Sequence, residues 1–443
     1  MRILYVHQFF ATRRRSHPTR SYEFAKRFVE KGHQVTLITR DVRHLEAGRE
    51  QIASRRLPWA RETVDGIEVI YLRMPYANTM GKLGRLASFV GFTKLACLAA
   101  LLVRRPDVTL GEAQPLTVGV PGWLLKRLRG VPFVFEICDL WPYVPVEIGA
   151  LRNSLVIMAA TRLEEALYDA AETVVVCSEA SRDNLVGRGY APDRVALIPN
   201  ASDCDLFGPD NVDESWRGRN ELEGKFVALY FGAVGPANGL DQLVAAAARL
   251  KAAVGDESDA DRPVADVRIV VVGDGRQKPR LVRESAERGL DNLLWLDPLP
   301  KDDLAGVVGA ADVTLTIFMD NPAFETNSPD KFFDSLAAGK PIVCNLGGWW
   351  KRLVEDENCG AYVPGGDPAA LAATLAALRQ EPAIVAEMGR NARVLAEREF
   401  DRDLLADKVL AILEGAAAGK AHGEQVRSGG AMPENAASPG ARR

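Results

Sequence analysis

The sequence predicts an α/β protein built from two doubly wound, parallel-sheet domains that face each other across a cleft. Three observations carry this. The chain has 443 residues, too many for one ordinary hydrophobic core, so two domains of roughly 200 residues each are expected. Each half alternates short apolar runs with stretches of helical spacing, the pattern of strands joined by crossover helices. Between the halves lies a polar, Asp- and Asn-rich stretch of weak periodicity, PNASDCDLFGPDNVDESWRGRNELEG, at 199–224.

In the first half ILYVHQFF, HQVTLITR, DVTL, PFVFEI and TVVVCS read as strands, near-continuous Val, Ile, Leu and Phe runs suited to a sheet covered on both faces. Between them, SYEFAKRFVEKG, LASFVGFTKLACLAALLVRR, PGWLLKRLRG and LVIMAATRLEEALYDAAE repeat apolar residues at helical spacing. The second half gives strands FVALYFG, DVRIVVVGDG, NLLWLD, DVTLTIF and PIVCN, with LLADKVLAILEGA as a closing helix. The organisation expected is a Rossmann-like domain over 1–200, a linker over 201–224 and a second Rossmann-like domain over 225–418. Its last helix is long enough to pack back on the first domain. The Gly-, Ala-, Ser- and Pro-rich segment 419–443 reads as a disordered tail.

Hydrophobic content of 47% and charged content of 26% exclude a disordered chain. The net charge of −4 hides an asymmetry. Residues 1–200 carry 28 Lys and Arg against 20 Asp and Glu, whereas 201–443 carry 27 against 39. The two halves are expected to meet different partners, and the first is too weakly basic to argue for nucleic acid. Cysteines 97, 138, 177, 204, 344 and 359 form no CxxC pair, so reduced thiols are expected rather than zinc or a disulfide framework. MRILYVHQFF lacks the apolar core of a signal peptide, which favours a cytoplasmic chain.

The chemistry concentrates in ETNSPDKFFDSLAAGKPIV, 325–343. Ser328 reads as an N-cap, Pro329 as the first helical residue, and Asp330 suits the positive helix end. Phe332, Phe333 and Leu336 point inward, and Gly339 stops the helix. Lys331 and Asp334, three apart, share the other face. A helix N-terminus with a nearby Lys receives an anion, and a carboxylate one turn on can accept hydrogen bonds from sugar hydroxyls. The plainer alternative is a capped helix with a surface Lys–Asp pair. In VVVGDGRQKPRL, Gly273 and Gly275 open a second strand-to-helix junction where backbone approaches closely. GxGxxG is absent after the first strand of either half, which argues against an NAD enzyme.

With YFGAVGPANGLDQLV (230–244), FEICDLWPYVPVEIGAL (135–151) and IPNASDCDLF (198–207), these stretches make the chain resemble the family 4 glycosyltransferases, retaining enzymes of the GT-B fold. Within that family it is similar to bacterial surface-polysaccharide members that carry Glu-x-x-Asp-Leu-Trp-Pro. The resemblance runs over about 1–415. It implies a nucleotide-sugar donor, a UDP-sugar first, in the second domain, and a glycan or lipid-diphosphate-linked acceptor in the first. It implies front-face attack assisted by the leaving phosphate, with no metal and no further cofactor.

The sequence departs from the family's Glu-x7-Glu pattern. Asp334 stands for the second Glu, Thr326 for the first, and Glu325 is one residue out of register. Glu325, Thr326 and Asn327 therefore all remain open as contacts to the donor sugar. The Arg and Lys that the family tends to place after the first strand of the second domain are Ala233 and Asn238 here. The diphosphate falls to Lys331 and its helix end, with Lys278, Arg276 or backbone N–H groups as further sources. The donor set implied is Gly232, Gly273, Gly275, Lys278, Thr326, Asn327, Ser328, Lys331 and Asp334. Asp139 and Glu325 are the catalytic candidates, Asp139 because it follows a strand end facing the cleft; a turn-capping Asp is the alternative. Arg13, Arg14, Arg20 and Glu136 are the acceptor-side candidates, against a solvated basic loop for the first two.

KLGRLASFVGFTKLACLAALLVRR, 82–105, is apolar with basic ends and too interrupted to span a bilayer. It reads as a buried helix of the α/β layer, as a surface resting on the inner membrane, or as both if one edge is exposed. Two readings of the same fold compete with transfer: a nucleotide-sugar epimerase, and a degenerate transferase that only binds nucleotide-sugar.

Overall fold

The computed structural model describes residues 1–13, 19–41, 58–74, 81–113, 115–201, 203–254 and 266–419. Arg14 and the tail beyond Gly419 lie outside them.

The first sheet contains β1 (Arg2–His7), β2 (Gln34–Arg40), β3 (Trp59–Val64), β4 (Ile67–Leu72), β5 (Val108–Ala113), β6 (Phe133–Ile137), β7 (Thr173–Val176) and β8 (Val195–Leu197). Their spatial order is β3-β4-β2-β1-β5-β6-β7-β8. The second contains β9 (Phe226–Phe231), β10 (Val267–Val272), β11 (Leu293–Leu296), β12 (Val313–Thr316), β13 (Ile342–Cys344) and β14 (Gly360–Tyr362). Its order is β11-β10-β9-β12-β13-β14. All neighbours are parallel except β3 and β4.

In chain order the helices are α1 (Arg20–Glu30), α2 (Lys82–Leu102), α3 (Val120–Arg129), α4 (Tyr143–Glu147), α5 (Ser154–Ala170), α6 (Glu179–Gly187), α7 (Glu214–Arg219) and α8 (Asp241–Val254). They continue with α9 (Lys278–Glu287), α10 (Lys301–Gly309), α11 (Asp330–Ala337), α12 (Gly348–Asp356), α13 (Pro368–Gln380), α14 (Pro382–Leu395) and α15 (Arg402–Ala417).

Strand order turns outward in both directions from β1/β5 and from β9/β12. Open α/β sheets place ligands at the carboxyl ends of strands beside such a switch point. His7 ends β1, Glu112 is the penultimate residue of β5, and Gly232 follows β9.

The structure adds one element to the sequence reading and details two others. The antiparallel β3–β4 hairpin was not anticipated; it turns on Asp65 and Gly66, both at positive φ (48° and 80°), the Asp-Gly signal of a tight hairpin. Within the linker, Phe207, Trp216 and Leu222 are buried in a core that also holds Phe332, Phe333 and Trp350. Its aromatic anchors, not its polar composition, decide its conformation. The last helix packs on the first sheet, with Leu405, Val409 and Leu413 in one cluster with Ile3, Tyr5 and Leu37. Arg402 fixes its start by donating to Thr19 Oγ1 at 3.2 Å and to the Ala201 carbonyl.

Candidate active site

The second-domain wall rests on backbone packing. The N–H of Gly232 donates to the Val272 carbonyl at 3.0 Å, and that of Val234 to the Asp274 carbonyl at 2.8 Å. A Cβ on Gly273 would lie 1.9 Å from the Gly232 carbonyl oxygen, and one on Gly275 2.4 Å from that of Val234. Only glycine lets the two post-strand loops touch in this way. Lys278 serves the next loop, donating to the Leu296 carbonyl at 2.8 Å and to Asp297 at 2.9 Å.

α11 brings Lys331 to this wall. Its Nζ donates to the Tyr230 hydroxyl at 2.7 Å and lies 3.9 Å from that ring's centroid and 5.4 Å from that of Phe318. A Cβ at Gly232 would stand 3.5 Å from the same nitrogen. Burial lowers the Lys331 ammonium from its ordinary range to about 7, and the charge of Asp330 only partly offsets this. The surface Lys–Asp pair does not exist. Asp334 points elsewhere, 3.4 Å from Lys301 at the start of α10. Burial raises its carboxyl, Lys301 opposes that, and Asp334 Oδ1 lacks an aligned hydrogen bond.

Ser328 is not the cap. Pro329 occupies the cap position without a side-chain bond. The Ser328 hydroxyl instead accepts from the backbone N–H of Asn200 at 2.9 Å, and Asn200 Nδ2 donates to the Ser328 carbonyl at 2.6 Å. A tie between domains thus outcompetes the local cap. Thr326 is equally committed. Its hydroxyl donates to the Ala323 carbonyl at 2.7 Å, and its own carbonyl accepts from Ser178 and Ser181 at 2.8 and 3.1 Å. Glu325 lies over the turn before α12, where a Cβ on Gly347 or Gly348 would come within 2.5 or 2.6 Å of its oxygens. Of the three residues left open, Asn327 alone presents a buried side-chain oxygen, Oδ1, without a partner.

The first-domain wall is a buried polar network. Arg20 donates through Nε to Glu136 Oε1 at 2.7 Å and reaches the carbonyls of Pro199 and Ile198 at 2.7 and 3.1 Å. Burial raises the Glu136 carboxyl, against the pull of Arg20, and Glu136 Oε2 has no partner. Two of the four acceptor-side candidates, Arg20 and Glu136, therefore bind each other, and Arg20 also holds the loop before Asn200. Glu136, Cys138 and Cys177 each place one donor atom within 4.8 Å of the others, and the sulfurs are 3.3 Å apart. The Arg20 guanidinium already supplies this cluster's positive charge: burial opposes it, but Glu136, Cys177 and Cys138 outweigh that and hold it protonated.

Arg13, an acceptor-side candidate weighed against a solvated basic loop, is held by carboxylates of its own chain. It pairs with Glu23 at 2.5 Å and with Asp203, and Arg27 joins both carboxylates. Burial alone would raise Glu23, but Arg402, Arg13 and Arg27 hold it below the usual carboxylate range. Asp139 stands half-buried just beyond β6.

Glu112 was missed from sequence because it sits inside an apolar strand. It accepts from the Tyr5 hydroxyl at 2.7 Å and lies 3.5 Å from His7 Nδ1, which contacts Ser21 Oγ at 2.6 Å. Burial raises Glu112 to about 7 and lowers His7 to about 4. Asp330 makes the smallest contribution to the Glu112 shift.

Two family models match the chain in tandem. "Glycosyl transferase 4-like domain" covers residues 18–201 and "Glycosyl transferases group 1" covers 212–395. The chain belongs to the family 4 glycosyltransferases. This glycosyltransferase is 27% identical over 410 residues to a D-inositol 3-phosphate glycosyltransferase of Thermomonospora curvata, covering 89% of each chain. It is 24% identical to the Escherichia coli protein named for colanic acid biosynthesis, glycosyl transferase WcaI, over 86% of this chain and 92% of that one. Its fold matches Anabaena Alr3699/HepE, solved with UDP-glucose, at a TM-score of 0.66 and 18% identity over 94% of this chain and all of that one. The two parallel-sheet α/β domains are those of the GT-B fold.

Proposed function

We propose that this glycosyltransferase moves a sugar, with retained anomeric configuration, from a nucleotide-sugar to a polysaccharide or lipid-diphosphate-linked acceptor, and that the donor is a UDP-sugar. The observation that carries the donor half is Lys331. An ammonium sunk among aromatic rings beside a glycine-walled loop, with a neutral hydroxyl as its hydrogen-bond partner, is incomplete until an anion arrives. A diphosphate against Gly232 and the first turn of α11 would complete it.

As the sugar–phosphate bond breaks, its electron pair leaves with the diphosphate, and Lys331 and the α11 N-terminus lie where that charge builds. The acceptor oxygen attacks from the same face and its proton passes to the leaving phosphate. Asp139, from the other wall, orients the acceptor. Asn327 Oδ1 meets a donor-sugar hydroxyl. The UDP-glucose in HepE and the colanic acid in the name of WcaI support the nucleotide and the acceptor class.

The test is calorimetric titration with UDP, GDP, ADP and NAD of wild type and Lys331→Ala. Selective UDP binding, weakened roughly 10- to 100-fold by the substitution, is expected. Preference for GDP or ADP would change the donor, and NAD binding unaffected by the substitution would overturn the reading.

A further inference from the structure

We propose that the outer face of the α2–α3–α5 helical layer is a docking surface for an anionic lipid bilayer. The proposal deepens the reading of a lipid-linked acceptor and rests on it for its purpose, not for its observations.

Among its described side chains, α2 is largely apolar on its outer as well as its inner side. Phe92, Ala96, Ala99 and Ala100 are buried against the first sheet. On the opposite side Leu86, Val90, Leu98 and Leu102 are all exposed. With Lys94 they sit at successive four-residue steps, one inclined ridge along the helix. A surface helix that is apolar on both sides is one whose outer side meets something other than water.

The neighbouring helices continue the patch. α2 packs on α3, and α3 on α5. α3 exposes Leu128, at 64%. α5 opens with Leu155, Val156 and Met158 exposed, Leu155 at 69%. α5 follows α4, which packs against the 322–326 turn of the second domain.

Charge selects the occupant. α2 and α3 carry no Asp or Glu, and Lys94, Arg104, Arg105 and Arg127 are exposed beside their apolar residues, whereas α5 adds exposed Arg162 together with exposed Glu165 and Asp169. A second copy of this chain would bring the same sign of charge to itself, which opposes pairing. Apolar side chains rimmed by Lys and Arg suit the boundary between acyl chains and anionic headgroups. Among the described residues no helix is long and apolar enough to cross a membrane, so the layer would lie on the bilayer.

The experiment is sedimentation of the full chain with phosphatidylcholine vesicles, with and without phosphatidylglycerol. Wild type is expected to partition to the anionic vesicles and to be released by salt. Leu98→Glu/Leu102→Glu and Leu155→Glu/Met158→Glu should each weaken partitioning about tenfold or more, and Lys94→Gln/Arg104→Gln should reduce the preference for anionic lipid. UDP titration and circular dichroism of each variant establish that it is folded. Absence of wild-type binding, or binding unchanged in all variants, would overturn the proposal. So would a wild-type dimer that the Glu variants convert to monomer while vesicle binding stays the same. Vesicle binding without UDP affinity would leave this surface standing and sink the donor reading; UDP affinity without vesicle binding would do the reverse.

Discussion

Lys331 and Tyr230, 101 residues apart in sequence, meet on the second-domain wall: Nζ donates to the hydroxyl at 2.7 Å while sitting 3.9 Å from the ring centroid. The hydroxyl in turn donates to the Ala233 carbonyl at 2.7 Å. An aromatic face and a neutral oxygen hold the ammonium in place without neutralising it. Its protonation is therefore left for the ligand to settle.

Donor binding should take up a proton. Burial puts Lys331 at about 7 in the free protein, so at pH 8 most molecules carry it neutral. A diphosphate beside it favours the charged form and raises it. UDP titrations at pH 8 in two buffers of different ionisation heat should show close to one proton absorbed in wild type and none in Lys331→Ala. Affinity should fall as pH rises from 7 to 9. Equal uptake in both proteins would place the titrating group elsewhere.

The same lysine should cost stability without ligand. Its folded value is lowered from 10.5 to about 7. Between those values the unfolded chain binds more protons, so stability rises with pH across that window, and the penalty is fully present below pH 7. Lys331→Met should raise the Tm of the ligand-free protein most at pH 6, with the gain shrinking as pH approaches 10, while weakening UDP binding roughly 10- to 100-fold as Lys331→Ala does. A destabilised Lys331→Met protein at pH 6 would contradict the burial argument.

Much of this wall was legible in the chain. The turn glycines 273 and 275, the inward Phe332 and Phe333, and the stop at Gly339 (φ 63°) follow from local backbone chemistry. What was not legible is which distant group each polar residue meets. Ser328 has every local reason to cap α11, yet its hydroxyl is taken by Asn200, 128 positions away. Lys331 and Asp334 share a helix face in projection, but a buried helix has different neighbours one turn apart, Tyr230 for one and Lys301 for the other. Glu112 was hidden because one carboxylate in an apolar strand gives no periodic signal. Tyr5 and His7, which hold it, come from the adjacent strand.

The Asn200–Ser328 tie should control how the domains meet. Two bonds join the loop before the second domain to the start of α11, and Arg20 also reaches Asn200 Oδ1 at 3.2 Å. Asn200→Ala removes the side-chain bond and Ser328→Ala leaves a backbone N–H without its acceptor, each worth about 1 kcal/mol or somewhat more. UDP affinity should fall roughly three- to tenfold, and small-angle scattering should report a larger radius of gyration for both variants. Unchanged scattering and affinity would mean the tie does not set the domain arrangement.

Lys301 and Asp334 should behave as a coupled pair. Their side chains are only 10% and 5% exposed, and the nitrogen–oxygen separation is 3.4 Å. Lys301→Met leaves a buried carboxylate without its nearest cation, a loss of about 3–5 kcal/mol by analogy with other broken buried pairs. Burial raises Asp334 above its unfolded value while Lys301 opposes the shift. The folded state then binds the extra proton, so stability falls as pH rises through that raised range. Removing Lys301 extends the range upward. Urea denaturation should show a Lys301→Met deficit larger at pH 8 than at pH 5, and Asp334→Asn in the same background should recover most of it and flatten the pH dependence. A small, pH-independent deficit, or no recovery with Asn, would show that Arg402 rather than Lys301 balances this carboxylate.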